Sequence, residues 1–293
     1  MIFLYFKTAM LRIIFFPYKI IKPEIVIKMA GGLGDQMARY CLALTIQKIA
    51  NLPICFDLSF YKKWGKDDFG VEERDFLLDK IFPTISIKEA SELKISLYRK
   101  YAAQTPKYNK LIKRQAMYIE NIHRYHDHFL YKDCRTDCFE FSLDLNNYKK
   151  EILSCILNTC GIALHIRRGD ILVYEQKGVK YFLPTVNYVF NAINYIVSKI
   201  NLEKIVIFVF SNDIAWCKEN IVSRYDIIFV ENNGGVFAPA EDMFLMSQCH
   251  HFILSKSAFG YWAARLAKSD DKIILIPSEA DRDIPQEFDS AKY

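Results

Sequence analysis

Short continuous apolar runs alternate with amphipathic stretches along most of this chain. The run EIVIKM (24–29) closes on Ala30 and a glycine-rich turn, so it reads as a buried strand entering a loop. Met37, Tyr40, Cys41 and Leu44 then fall at i, i+3, i+4 and i+7, which predicts a helix, and Pro53 marks the restart into a second strand through Ile54, Cys55 and Phe56. Between about Ser59 and Lys150 the pattern loosens. KEASELKISLYRKY and YNKLIKRQAMYIENIHRYHDHF read as helical, no strand alternation stands out, and the region is taken as helical elaboration completing the first half.

From Gly161 the alternation sharpens. Strand IALHI, a helix after Pro184, strand IVIFVF (205–210) and a helix from Ile214 come first. Strand DIIFV, a helix from about Ala240, strand HFIL, a helix from Ser257 and strand KIILI follow. Continuous apolar strands separated by amphipathic helices imply a parallel sheet covered on both faces, a Rossmann-like α/β arrangement. No internal repeat or low-complexity linker marks a boundary. The division is therefore set near residue 155, giving an extension at 1–22, a first half at 23–155 and a Rossmann-like half at 156–293.

Composition narrows the class. With 293 residues, 52% hydrophobic and 25% charged, the chain is long enough for two domains at about 150 residues each, and disorder is excluded as its main state. The net charge of +5 is spread without a long basic block, so nucleic acid is not an expected partner; an anionic small ligand or an anionic membrane surface suits it better. Eight cysteines are too few for a disulfide scaffold, and several sit in apolar periodic segments, which points to reduced thiols in a cytoplasmic setting. Cys134 and Cys138 form half a metal site with no second pair to complete it, so no metal is expected. The opening MIFLYFKTAMLRIIFFPYKIIKPE is interrupted by Lys7, Arg12, Lys19 and Lys22 and broken at Pro17, which argues against a membrane span. It also lacks the cleavage site of a secretory signal. Two readings of it remain, an interfacial segment on a membrane or a helix packed on the body of the protein.

Four segments carry candidate chemistry. Gly31, Gly32 and Gly34, with Asp35 and Gln36, lie between a strand and a helix, where glycines let the backbone approach a ligand and the helix offers free N–H groups. Their spacing fits neither a dinucleotide nor a P-loop motif, and an ordinary turn is the competing reading. His165, Arg167, Arg168 and Asp170 stand at the carboxyl end of IALHI, where α/β sheets bind ligands and an Arg fork matches phosphate oxygens; a surface ion pair of Arg168 with Asp170 is the alternative. Ser211 and Asp213 follow IVIFVF as helix caps or as ligands of a ribose or base. Asp242 precedes HHFILSKSAFGYWAARLA, in which Ser255 and Ser257 stand before a helix N-terminus while Phe259, Trp262, Ala263 and Leu266 form a buried stripe. His250 and His251 read as structural, and His123, His126 and His128 share no face with a carboxylate and receive no role.

In order and spacing, GGLGDQM, HIRRGD, FSND followed by Trp, and EDMFLMSQCHHFILSKSAFGYW resemble the bacterial α-1,2-fucosyltransferases of glycosyltransferase family 11 over roughly residues 24–276. That family reads GGLGNQMFQY, HxRRGD and DxxLMSxCxxxIxxNSTFSWW at these places. Asp35 stands for its Asn, Ala38-Arg39 for Phe-Gln, and Ser255 to Trp262 departs from NSTFSWW. The resemblance implies an α/β, GT-B-like fold of two facing Rossmann-like domains with parallel sheets. It also implies GDP-fucose as donor, inversion at the fucose carbon, no metal or other cofactor, and a galactose-terminated glycan acceptor.

By the same resemblance the first half carries the glycine loop and the acceptor side, and the second binds the donor. Arg167 becomes the main contact to the departing β-phosphate, with His165, and with Asp35 or Asp170 as base. Gly31, Gly32, Gly34, Gln36, Arg168, Ser211, Asp213, Asp242, Ser255, Ser257 and Phe259 become donor-binding. The enzyme is expected in the cytoplasm, with residues 1–22 as its contact to the inner face of a membrane. Open alternatives are another linkage or acceptor, such as α-1,6 or polypeptide transfer, and a nucleotide-sugar binding protein without turnover.

Overall fold

A computed structural model describes residues 23–63, 65–66, 70, 73–102, 116–120, 136–178, 183–200, 204–232 and 234–288. The 1–22 segment and the histidines at 123, 126 and 128 lie outside them. The chain divides into two compact units. One is drawn from Met1–Ala30, Ala38–Trp64 and Ser86–Arg135, the other from Gly31–Met37, Gly65–Ile85 and Thr136–Tyr293.

The elements run β1 (Ile25–Lys28), α1 (Leu33–Ala50), β2 (Ile54–Asp57), α2 (Ser59–Lys63), α3 (Leu78–Ile81), α4 (Glu92–Tyr101), β3 (Met117–Ile119) and α5 (Asn147–Leu157). They continue as β4 (Cys160–Ile166), α6 (Gly169–Gln176), α7 (Val186–Lys199), β5 (Ile205–Ser211), α8 (Ile214–Asn220) and β6 (Asp226–Phe229). The last are α9 (Ala238–Ser247), β7 (His251–Leu254), α10 (Ala258–Leu266), β8 (Ile274–Pro277) and β9 (Pro285–Glu287).

In the first unit β2, β1 and β3 form a parallel sheet in that order. Strand β3 corrects the helical reading of its region. Its three residues are wholly buried and pair with Ile25, Val26 and Ile27. That partner is some 90 residues distant in sequence, so no local periodicity announces the strand. The carboxyl ends of these strands are tied by polar groups. The buried Asp57 carboxylate accepts from the Tyr118 hydroxyl (2.6 Å), Arg99 (2.9 Å) and the Ser59 N–H (2.8 Å). Arg39 donates at 2.8 Å to the carbonyls of both Lys28 and Glu120.

The second unit holds a six-stranded sheet in the order β6-β5-β4-β7-β8-β9, parallel except for β9. The antiparallel β9 was not expected from sequence; the other five strands match the apolar runs. Strand order reverses between β4 and β7, and in open α/β sheets a ligand binds beyond the carboxyl ends of the strands at such a point. Alternate residues of β4 face opposite sides. Cys160, Ile162, Leu164 and Ile166 join Ile207 and Val209 and the Tyr188, Ala192, Ile193 and Ile196 stripe of α7 in one core. The Tyr188 hydroxyl lies 3.0 Å from the carbonyls of Leu254 and Leu275, fixing α7 across β7 and β8. Gly161, Ala163 and His165 face the other side.

Cys55, Cys138, Cys155, Cys160, Cys217 and Cys249 are free thiols. Cys41 is disulfide-bonded, which departs from the reading of every cysteine as reduced. His251 is structural, its Nδ1 accepting from the Ile273 N–H at 3.1 Å. Among the described residues no helix is long and apolar enough to cross a membrane.

Candidate active site

A cavity of about 310 Å³ opens at the switch point, and all of its lining belongs to the second unit. Four places in the sequence converge there. The glycine loop brings Gly32, Gly34 and Asp35, β4 brings His165 and Arg167, β5 brings Ser211 and Asn212, and the start of α10 brings Ser257 and Phe259. Asp242 of α9 joins them.

Arg167 is the fixed centre. Its Nε lies 3.1 Å from both oxygens of Asp170, a terminal nitrogen makes a further short contact with Oδ2, and Nη1 reaches Ser257 Oγ at 3.5 Å. The Asp170 side chain is fully buried and also accepts from Asn212 Nδ2 at 3.1 Å. Burial would raise its pKa, but the hydrogen bonds and charge of Arg167 and the Asn212 amide hold the carboxyl below the ordinary range. A carboxylate so engaged orients the guanidinium; it is poorly placed to take a proton from an acceptor.

The glycines are set by close contacts. Gly31 has φ +84°, a left-handed conformation, and a Cβ there would lie 2.5 Å from Asp35 Oδ2. Gly34 presses on the backbone of α10, so that a Cβ would lie 2.6 Å from the Phe259 nitrogen. The loop therefore brings Asp35 into the cavity and seats it beside the α10 N-terminus, whose N–H groups favour an anion. Ser257 caps that helix, accepting from the Phe259 N–H at 3.3 Å.

Asp242 is held by Lys149, whose Nζ stands 2.5 Å away with a side chain only 1% exposed. Burial raises the Asp242 pKa and Lys149 partly offsets this. The pair places a hydrogen-bond acceptor on the cavity wall.

Several expected residues serve the frame instead of lining the cavity. Arg168 turns aside, its guanidinium 4.4 Å over the Trp216 ring and its Nε 3.3 Å from Asp213, which itself caps α8. The alternative of an Arg168–Asp170 surface pair also fails, because Asp170 is buried against Arg167. Ser255 is buried as a stitch between β4 and β7, donating to the His165 carbonyl and accepting from the Arg167 N–H at 2.9 Å each. Gln36 is buried, donating to the Gly31 carbonyl (3.4 Å) and the Asp75 carbonyl (2.7 Å) and accepting from the Leu77 N–H (3.0 Å). Ser211 lines the cavity and also accepts from the Asp213 N–H at 2.9 Å.

Sequence reasoning passed over other lining groups, chief among them Arg74 and Asn212. Asn212 had a signal, since it sits inside the FSND segment; its Oδ1 accepts from the N–H groups of Arg168 and Gly169 at 2.9 and 3.1 Å. Arg74 had none. It lies in a loop without periodicity, brought to the cavity by the Gln36 clamp. Among the described residues no group of three or more His, Cys, Asp or Glu is arranged to hold a metal ion.

Comparison with known proteins decides the class. The profile of Glycosyl transferase family 11 matches residues 151–293. An α-1,2-colitosyltransferase of Escherichia coli is 29% identical over 273 residues, covering 87% of this chain and 91% of the relative. A galactoside α-(1,2)-fucosyltransferase 1 of Sus scrofa is 38% identical over 110 residues, 37% of this chain and 29% of that one. The solved structure of NodZ α-1,6-fucosyltransferase soaked with GDP-fucose is similar over 92% of this chain and 99% of that one, with a TM-score of 0.54 and 13% identity.

The likeness of this chain is to glycosyltransferase family 11, carried by its second half. The chain is an enzyme of the glycosyltransferase class, and the structural likeness shows the GT-B-like α/β fold. In this enzyme His165 is 93% shielded from solvent, stacks on Phe259 at 5.5 Å between ring centres, and has a buried Nδ1 without a hydrogen-bond partner. Gly260 makes room for it, since a Cβ there would come within 3.0 Å of Nδ1. Burial and the neighbouring Arg167 push its pKa down to about 3, partly countered by Asp170.

The unfolded imidazole has a pKa of about 6.5, so protonation favours the unfolded chain between that value and about 3. The His165 contribution is complete above about pH 6.5 and declines as pH falls through this window. Nitrogen-15 NMR of labelled histidine is expected to show His165 neutral at pH 5; a resonance assigned to His165 titrating near 6.5 would contradict the burial argument.

Proposed function

We propose that this enzyme transfers L-fucose from GDP-fucose, with inversion, to the 2-hydroxyl of a terminal galactose on a surface glycan or lipid-linked oligosaccharide. The observation that carries the reading is Arg167, fixed by Asp170 in a cavity whose other walls are the glycine loop and the α10 N-terminus. Breaking the sugar–diphosphate bond places negative charge on the leaving group, and preorganised donors stabilise that charge most where water is excluded. The planar guanidinium supplies paired N–H groups without a metal ion, and the helix N-terminus adds a second source of positive potential.

Asp35 is the proposed base. It borders the cavity, whereas Asp170 is spent on Arg167. Inversion follows from a base on the face of the sugar opposite the leaving diphosphate, with Asp35 taking the acceptor hydroxyl proton as the new glycosidic bond forms. Asp242, steadied by Lys149, suits the N–H edge of guanine, and His165 with Phe259 forms the floor beneath the diphosphate. The setting proposed is the cytoplasmic side of a membrane bearing the acceptor, with residues 1–22 as the point of contact.

A second donor is favoured by one observation. The colitosyltransferase is similar over nearly its whole length, whereas the porcine fucosyltransferase matches over about a third of this chain. GDP-colitose is therefore the competing donor.

The full chain, incubated in chelator with GDP-fucose or GDP-colitose and a panel of galactosides, is expected to form an α-1,2-fucosylated product, identified by NMR linkage analysis. Transfer of colitose alone or an α-1,6 product corrects donor or linkage. GDP binding without turnover, or a strict need for a divalent ion, defeats the reading. Arg167→Lys is expected to lower kcat by about 100- to 1000-fold, since a point-charge ammonium cannot reproduce the fork; near-normal turnover would remove Arg167 from the leaving-group site. For Asp35→Asn the expectation is a fall in kcat of about 100- to 10,000-fold at unchanged donor affinity, and full activity would exclude it as base.

A further inference from the structure

We propose that Arg74 is the second guanidinium of the donor's diphosphate cradle, in the role that the sequence suggests for Arg168. The inference rests on the reading of a nucleoside diphosphate sugar as donor. Arg74 lines the same cavity as Arg167 and His165, and its side chain is 24% exposed. Its terminal nitrogen stands 4.0 Å from Asp170 Oδ2, a distance suited to electrostatic attraction and too long for a hydrogen bond. The nearer partners of Asp170 are Arg167 and Asn212, so two guanidiniums share one carboxylate that only Arg167 holds closely.

The two guanidiniums repel each other across the cavity wall. Burial and the neighbouring Arg167 charge both work against the charged form of Arg74, with Asp170, Asp35 and Tyr174 opposing them. A bound dianion offsets that repulsion and accepts charge-assisted hydrogen bonds from both. Of the flanking acids, Glu73 is largely exposed and pairs with Lys66 at 3.0 Å.

The glycine motif holds Arg74 in place. Gln36 grips the Asp75 carbonyl and the Leu77 N–H, fixing the segment that carries Arg74, and Gly32 faces the guanidinium, where a Cβ would lie 3.5 Å from Nη1. The segment read as a direct donor loop thus acts in part at one remove, by presenting an arginine from 38 positions downstream of Gln36. Arg168 is turned to Trp216 and Asp213, which leaves the second phosphate contact to Arg74.

Calorimetric titration of the full chain and its Arg74→Gln and Arg74→Lys variants with GDP, inorganic pyrophosphate, guanosine and UDP tests this. Expected in Arg74→Gln is a loss of about ten- to a hundredfold in affinity for GDP and pyrophosphate, with guanosine affinity held within about twofold and partial recovery in Arg74→Lys. Unchanged GDP binding in Arg74→Gln overturns the proposal. So does guanosine binding that falls in step with GDP, because that marks a purely structural role, and so does wild-type protein that binds no diphosphate at all. Wild-type protein that prefers UDP to GDP, with the preference for diphosphate over nucleoside still lost in Arg74→Gln, supports Arg74 and sinks the guanine-nucleotide donor instead.

Discussion

The grip of Asp170 on Arg167 is the interaction on which the rest of the site depends. A guanidinium at the carboxyl end of a parallel strand has many rotamers and a strong preference for water, and neither suits a site held in one geometry. Asp170 removes both problems by meeting Nε and a terminal nitrogen from the next turn of chain, and Asn212 holds Asp170 in turn. Carboxylate, amide and guanidinium form one connected group, in which each polar atom is aimed by another.

That group can sit where it does because β4 has two unlike faces. One face packs its apolar side chains in the core shared with α7. The other carries Gly161, Ala163 and His165, small or flat residues that let α9 and α10 approach. Gly260 and Gly34 extend the same logic, each placed where a side chain would collide with His165 or with the backbone of α10. Steric economy along this seam positions the helix N-terminus, and the helix N-terminus brings its N–H groups to the cavity.

The likeness to the family and the departures from it rest on different residues. The groups that fix Arg167 and cap α10 come from segments that match the family pattern. The departures fall at Asp35, Arg39 and the stretch from Ser255 to Trp262. Arg39 closes the carboxyl ends of β1 and β3 within its own unit, and Ser255 stitches β4 to β7. Asp35 alone of these substitutions puts a new charge on the cavity wall.

Much of the second unit was legible in the sequence, because its strands are long apolar runs and its helices carry clear caps; Thr185, Asp213 and Ser257 each accept a backbone N–H as the residue type predicts. Local signals also marked His165, Arg167, the glycine loop and Ser257, which meet on one cavity. What local signals could not reveal was direction and partnership. Arg167 and Arg168 are adjacent and chemically identical, yet one enters the cavity and the other lies on Trp216. Successive residues leave a chain on different sides, and only the packed neighbours decide which side is wet. Strand β3 needed β1 to exist, and Arg74 needed Gln36. The sequence by itself determined the class of fold and the chemistry at the strand ends; tertiary structure decided which of those groups meet, because contacts between residues tens of positions apart leave no periodic trace in the chain that makes them.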